Sequence, residues 1–338
     1  MHKTDLKSLS FNEVVEEVKK LNRKPFHAAQ IFSWISKGVL SFYDMTNLSL
    51  EFRKELDEKY TIGFVSFFKK VISKDNFTVK YLFSLQDDKK IESVLMKYHH
   101  GYTVCVSTQV GCKMGCVFCA TGKSGFGRDL TPSEMLSQIQ TIATDNKIRI
   151  SNVVLMGMGE PLDNYYNTLK FLKIITCEKG LNIGNRHITV STCGITDKIY
   201  DLAKKKLSLT LSVSLHAPNN HLRDKLLKVN KCFPLEDLLK ACRVYSKTCK
   251  RRITFVYVMI KDINDDDDCA RELAKKLSSI FCHVNLIPLN SIKKEVYVKS
   301  SIERIESFSR VLMKKGIGVT IRRTLGDDIN ASCGQLKA

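Results

Sequence analysis

The chain has 338 residues, 43% of them hydrophobic, which is enough to bury a sizeable core in one large domain beside a small one. Lys and Arg number 54 against 35 Asp and Glu, a net charge of +19 that suits a polyanion such as nucleic acid or an anionic membrane surface without choosing between them. The opening Met1-His2-Lys3-Thr4-Asp5-Leu6-Lys7 has no signal-peptide core and no later apolar run would cross a bilayer, so a soluble cytoplasmic protein is expected.

Ser10-Phe11-Asn12-Glu13 is a capping-box pattern, and Phe11, Val14, Val15 and Val18 follow at helical spacing. A second helix is predicted through Ala28, Ile31, Phe32, Trp34 and Ile35, and a third through Leu48, Phe52, Leu56 and Tyr60. Shorter alternating segments, such as 78–83, then take over. The boundary is therefore placed near this change: a small, mainly helical accessory domain over 1–90 and a main domain over 91–338.

Strands are predicted over 103–107, 152–156, 187–191, 210–215, 253–259, 283–286 and 318–322, with amphipathic helices between them. Thr131-Pro132-Ser133-Glu134 is the clearest helix start, a capping box with Pro in its first position. Cys177, Cys242, Cys249, Cys269 and Cys282 fall within these patterns and read as packing residues. Such alternation argues a parallel sheet covered by helices, either a complete or partial barrel or a doubly wound open sheet. Both place ligands at the carboxyl ends of the strands.

Twelve cysteines spread over a chain of this length point to a reducing compartment with metal-binding or catalytic thiols. Cys112, Cys116 and Cys119 form a C-x3-C-x2-C loop directly after the first barrel strand. Three thiolates on one tight loop can each hold an iron of a cubane and leave the fourth iron open. A structural zinc site needs four ligands, and no fourth Cys or His stands at a suitable short spacing. Gly157-Met158-Gly159-Glu160-Pro161 follows the next strand; its glycines allow close backbone approach and Glu160 offers a carboxylate. Ser191, the group Ser214-Leu215-His216, and Asn290 end later strands.

The cluster loop, with Phe118 before its last Cys and Ala120-Thr121-Gly122 after it, resembles the radical S-adenosylmethionine (SAM) superfamily. With Lys24-Pro25-Phe26 through Gln30-Ile31-Phe32 and the tail from Arg322 to Leu336, nearly the whole chain resembles the RlmN-type dual-specificity RNA methyltransferases. That resemblance implies a partial (βα)6 TIM-like barrel with a helical N-terminal accessory domain. It implies one 4Fe-4S cluster on Cys112, Cys116 and Cys119, with SAM held by Gly159, Glu160, Ser191, Ser214, Leu215, His216 and Asn290. The implied reaction methylates C2 of an adenine in 23S ribosomal RNA, at the peptidyl transferase centre, and in tRNA, next to the anticodon.

Two SAM molecules are consumed per turnover in the family. One methylates a cysteine, by position Cys333; the other is reduced by the cluster to a deoxyadenosyl radical that takes a hydrogen from that methyl group. The methylene radical adds to C2, and Cys105, seven residues before the cluster loop, then resolves the adduct by forming a disulfide with Cys333. Glu92 matches the family's proton acceptor; whether it or Cys105 removes the C2 proton stays open. A low-potential donor of flavodoxin or ferredoxin type, a monomeric state and no membrane association complete the expectations.

Basic groups at Lys69-Lys70, Lys89-Lys90, Lys204-Lys205-Lys206, Lys250-Arg251-Arg252, Lys293-Lys294, Lys314-Lys315 and Arg322-Arg323 suit phosphate contacts, with the target adenine extruded into the pocket. The N-terminal helices are expected to help grip the RNA. Two rivals stand: a C8-adenine methyltransferase of the related antibiotic-resistance type, against which Pro161 and Arg323-Thr324 speak, and a non-catalytic RNA-binding protein with a structural metal site.

Overall fold

Apolar side chains recurring every three or four residues fold the beginning of the chain into three helices, α1 (Phe11–Lys20), α2 (Phe26–Ser36) and α3 (Leu50–Lys59). The computed structural model describes residues 3–290 and 297–338, so Lys293-Lys294 lies outside the described residues. In α1 the Ser10 backbone N–H donates to Glu13 Oε2 at 2.8 Å, which is the predicted capping box. Val14 and Val18 of α1 are buried with Ala28, Ile31, Phe32 and Ile35 of α2, and the Phe11 and Phe32 rings meet edge to face at 5.5 Å.

Among the described residues ten strands follow in one sheet whose spatial order is the chain order: β1 (Ser66–Ile72), β2 (Thr78–Ser84), β3 (Lys90–Tyr98), β4 (Gly101–Cys105), β5 (Ile150–Leu155), β6 (Ile188–Thr192), β7 (Thr210–Ser214), β8 (Ile253–Met259), β9 (Cys282–Pro288) and β10 (Gly318–Ile321). Pairing is antiparallel from β1 to β4 and parallel from β4 to β10. The parallel strands form the partial barrel, with helices α4 (Pro132–Asn146), α5 (Tyr165–Thr176), α6 (Thr196–Lys204), α7 (Leu235–Cys249), α8 (Asp267–Leu277) and α9 (Ile302–Lys314) in the connections. Every strand predicted from Tyr102 onward is present within a few residues of its expected ends.

Residues 66–84, placed in sequence in the mainly helical portion, are two strands hydrogen-bonded into the same sheet as the barrel. The reason is local: Phe67, Phe68, Val71 and Ile72 alternate poorly, so period alone conceals β1, whose pairing with β2 comes from the backbone. The helical portion is tied to the barrel through α4 and α5. Gln140 Nε2 donates to the Ile35 carbonyl at 2.7 Å, and Lys170 pairs with Glu13 at 2.8 Å. Cys242 and Cys269 are buried, and Cys177, Cys249 and Cys282 pack half-buried against the core. Among the described residues no helix is long and apolar enough to cross a membrane.

Candidate active site at the carboxyl ends of the strands

The chain leaves β4 at Cys105 and builds the cysteine loop on a short hairpin, Gln109–Gly111 against Phe126–Asp129. Ser107, fully buried, exchanges both backbone hydrogen bonds with the Gln138 side chain at 2.9 and 3.0 Å, which fixes where the loop starts. Cys112 N–H donates to the Gly125 carbonyl at 2.7 Å and Val117 N–H to Leu226 at 3.2 Å. The turn after β5 packs directly onto this start. A Cβ at Gly159, whose φ is +98°, would fall 2.7 Å from the Gln109 nitrogen, so only glycine fits.

One cavity is lined by Cys112, Cys116 and Cys119, by Gly159 and Glu160, by Ser191, Ser214, His216 and Asn290 from the strand ends, and by Cys333 from the tail. Loop, four strand ends and tail thus converge on a single space. Burial pushes the Cys112 thiol up to about 12 and the Cys116 thiol higher, and the neighbouring loop cysteines add to both rises. Glu160 is buried, accepting N–H bonds from Leu162 at 2.9 Å and Cys193 at 2.8 Å; burial raises its pKa while these bonds oppose the rise. His216 takes a left-handed φ of 58° and its Nδ1 accepts the Val258 N–H at 3.0 Å. Burial, aided by Arg223, lowers its pKa to about 3, so the ring is neutral with its proton on Nε2.

Three of the sequence candidates stand outside this lining. Leu215 is buried, its N–H donated to the Val256 carbonyl and its own carbonyl accepting from Arg223. Cys105 is buried on β4, where burial raises its pKa and a charge on Cys333 would raise it further. Both are free thiols, and no disulfide joins them here. Cys333 is exposed at the cavity mouth; crowding of its thiol raises the pKa and the Arg322 guanidinium opposes it. Glu92 turns to Lys80 and to the tail backbone. Asn290 holds the tail too, donating from Nδ2 to the Cys333 carbonyl at 3.0 Å.

Arg223 escaped the sequence reading. Its guanidinium is 0% exposed and donates to the carbonyls of Cys193 (2.6 Å), Leu215 (3.2 Å) and Ser214 (3.2 Å) and to Asn230 Oδ1 (2.7 Å). It therefore ties the ends of β6 and β7 together under the cavity. The only sequence signal is a charge three residues from Leu226 on the inward face of the helix Asn220–Leu226.

Among the described residues no three His, Cys, Asp or Glu side chains converge tightly enough to grip a single metal ion. The loop cysteines nonetheless share one cavity and feel each other's charge. A zinc ion asks four ligands to meet at one point, whereas a cubane gives each thiolate its own iron and so spreads the sulfurs. The donor set fits a 4Fe-4S cluster with three cysteine ligands and does not fit a lone structural ion.

Residues 106–274 match the radical SAM superfamily, and residues 4–62 match the ribosomal RNA large subunit methyltransferase N-terminal domain. The chain is 50% identical to the probable dual-specificity RNA methyltransferase RlmN of Alkaliphilus oremlandii, over 100% of this chain and 98% of the other. It is 46% identical to the protein of the same description from Desulforamulus reducens, over 99% and 96% of the two chains. Its fold superposes on the crystal structure of a radical SAM methyltransferase from Sphaerobacter thermophilus with a TM-score of 0.94, at 40% identity and 99% coverage of each chain.

Proposed function

Because the chain belongs to the RlmN-type radical SAM RNA methyltransferases, we propose that it methylates C2 of an adenine in 23S ribosomal RNA and in tRNA. One observation carries this reading. Cys333 lines the same cavity as Cys112, Cys116 and Cys119, and a charge on it would be felt at the Cys105 thiol. A structural metal site has no use for either extra thiol. C2 lies between two ring nitrogens and offers no lone pair, so it cannot attack a methyl sulfonium directly.

When bound, the cluster on Cys112, Cys116 and Cys119 supplies SAM with one electron and so provides hydrogen abstraction. Gly159, Glu160, Ser191, Ser214, the Leu215 backbone and His216 form the bed on which SAM is oriented, and Asn290 sets the tail beside it. Cys333 Sγ first takes a methyl group from SAM by displacement: a C–S bond forms, the sulfonium bond breaks, and the thiol proton leaves to solvent. Joining that carbon to C2 costs C2 its hydrogen, lost as a proton, and releases one electron back to the cluster site; Cys105, as a thiolate, then attacks Cys333 Sγ. An S–S bond forms, the bond from Cys333 sulfur to the RNA-borne carbon breaks, and that carbon takes up a proton. A thiol reductant then resets both cysteines. A flavodoxin- or ferredoxin-type protein delivers the electrons, and the chain works as a cytoplasmic monomer.

Residues 1–90 and the exposed basic groups serve the RNA. Strand β1 is exposed along almost its whole length, with Phe67 at 49% and Phe68 at 55% exposure, and Lys90 Nζ stands 4.0 Å from the centre of the Phe68 ring. Aromatic faces interleaved with lysines stack unpaired bases and hold phosphates. The test is anaerobic reconstitution with iron and sulfide, followed by SAM and RNA fragments, reading out deoxyadenosine and the modified base. C2-methyladenine is expected; a methyl group located on C8 by mass spectrometry would overturn the assignment of position, and absence of any deoxyadenosine would overturn the radical chemistry.

A further inference from the structure

From Asn330 to its end the chain has neither helix nor strand, so the segment that carries Cys333 is ordered by local bonds through Ser332 and Gln335, by burial of Ala331 and Leu336, and by its contacts with the barrel. One ion pair, buried at its acid and half-buried at its base, holds both ends of it. Glu92, 5% exposed on β3, has Oε1 3.1 Å from Lys80 Nζ, while its Oε2 accepts the Lys337 N–H at 2.6 Å. Lys80, on β2, also donates from Nζ to the Asn330 carbonyl at 3.2 Å. Between these ends the Cys333 carbonyl meets Asn290, the Gly334 carbonyl takes the Ala120 N–H at 2.7 Å, and the Leu336 carbonyl takes the Thr121 hydroxyl at 2.7 Å.

We infer that Glu92 and Lys80 are positioning residues, a clasp that docks the tail so that Cys333 faces the cavity, and that Glu92 is not the base for the C2 proton. Both carboxylate oxygens are engaged, and Glu92 is absent from the cavity lining. Taking a proton would remove the charge that holds Lys80 and free the tail at the moment it bears the RNA. Ala120 and Thr121 directly follow Cys119, so the tail rests against the residues that close the cysteine loop. The inference rests on the reading of Cys333 as methyl carrier, and the two are separable because methylation of Cys333 precedes any proton removal from RNA.

The experiment uses the full chain loaded with cluster, given SAM without RNA, with S-methylation of Cys333 followed by peptide mass spectrometry. Glu92→Ala is expected to slow this methylation by about tenfold or more, since two charge-assisted bonds are lost. Lys80→Met should slow it less. Glu92→Gln, which keeps an oxygen for Lys337 N–H and cannot act as a base, should fall between wild type and Glu92→Ala. Iron content should stay at the wild-type level while amide exchange over 330–337 quickens in the same order. If Glu92→Ala loses iron, Lys80→Met decides. Wild-type methylation rates in Glu92→Ala or Lys80→Met, with covalent RNA accumulating in Glu92→Gln, would overturn the clasp and restore Glu92 as base. A wild-type chain that never methylates Cys333 would overturn the functional reading instead, and the exchange rates over 330–337 would still decide the clasp.

Discussion

The cavity end of the barrel and the N-terminal ribbon treat their unusual groups in opposite ways. Around that end of the barrel three buried charges each have a built set of partners: Arg223 meets four oxygens, Glu160 two backbone N–H groups, and Glu92, beside the cavity, an ammonium and an amide. The ribbon leaves Phe67, Phe68, Ile72 and Phe77 half exposed among lysines, although such an edge invites aggregation. The contrast teaches that a site for small, reactive species is made by satisfying polar groups inside, whereas a site for a long polyanion is made by leaving apolar and cationic groups outside.

The largest effects belong to the cavity. Cys112→Ala should remove the cluster and with it all RNA methylation, read as loss of bound iron and of visible absorbance. Cys333→Ala should keep the iron yet carry no methyl group. Cys105→Ala should trap RNA on the protein; normal release of methylated RNA from that variant would remove Cys105 from the chemistry. Arg223→Met should destabilise the chain by about 3 kcal/mol or more in denaturant unfolding, because three carbonyls and one amide oxygen lose their donor. A neutral result there would show that the strand ends do not depend on the guanidinium.

The cysteine loop, the strand ends and the parallel strands were legible because each leaves a pattern: fixed Cys spacing, glycines before an acid, apolar runs bounded by turns. Partnership leaves none. Glu92, between Ile91 and Ser93, reads the same whether it faces solvent, substrate or Lys80, and nothing local reports that a backbone amide 245 positions away completes it. Arg223 reads as one more surface charge on a short helix until its four acceptors are seen. Strand β1 was missed for the converse reason, since period-2 patterning appears only when one face is buried, and here both are exposed.

On the ribbon a smaller effect is expected. Replacing Phe67 and Phe68 together by Ala should weaken RNA binding by roughly tenfold or more, the value of one or two lost base stacks, with iron content and Cys333 methylation unchanged. Added salt should weaken wild type and variant in parallel, because the lysines remain. Unchanged affinity would move the RNA contact elsewhere and leave the exposed rings unexplained.

The smallest effect tests whether the N-terminal region ever buries a charge as carefully as the cavity does. Lys7 is 2% exposed, and burial lowers its pKa from 10.5 to about 8, with nearby Asp5 only partly opposing the change. The folded state therefore holds its proton less tightly than the unfolded chain. Between pH 8 and 10.5 the unfolded state binds more protons, so stability contributed at this site rises with pH across that window and is lowest below it. Lys7→Met should then stabilise the chain at pH 7 by on the order of 1 kcal/mol, the advantage shrinking toward pH 10 as the wild-type ammonium is lost. Equal unfolding midpoints for the two proteins at pH 7 would mean that Asp5 satisfies Lys7 as fully as Lys80 satisfies Glu92, and that burial of charge is handled alike at both ends of the molecule.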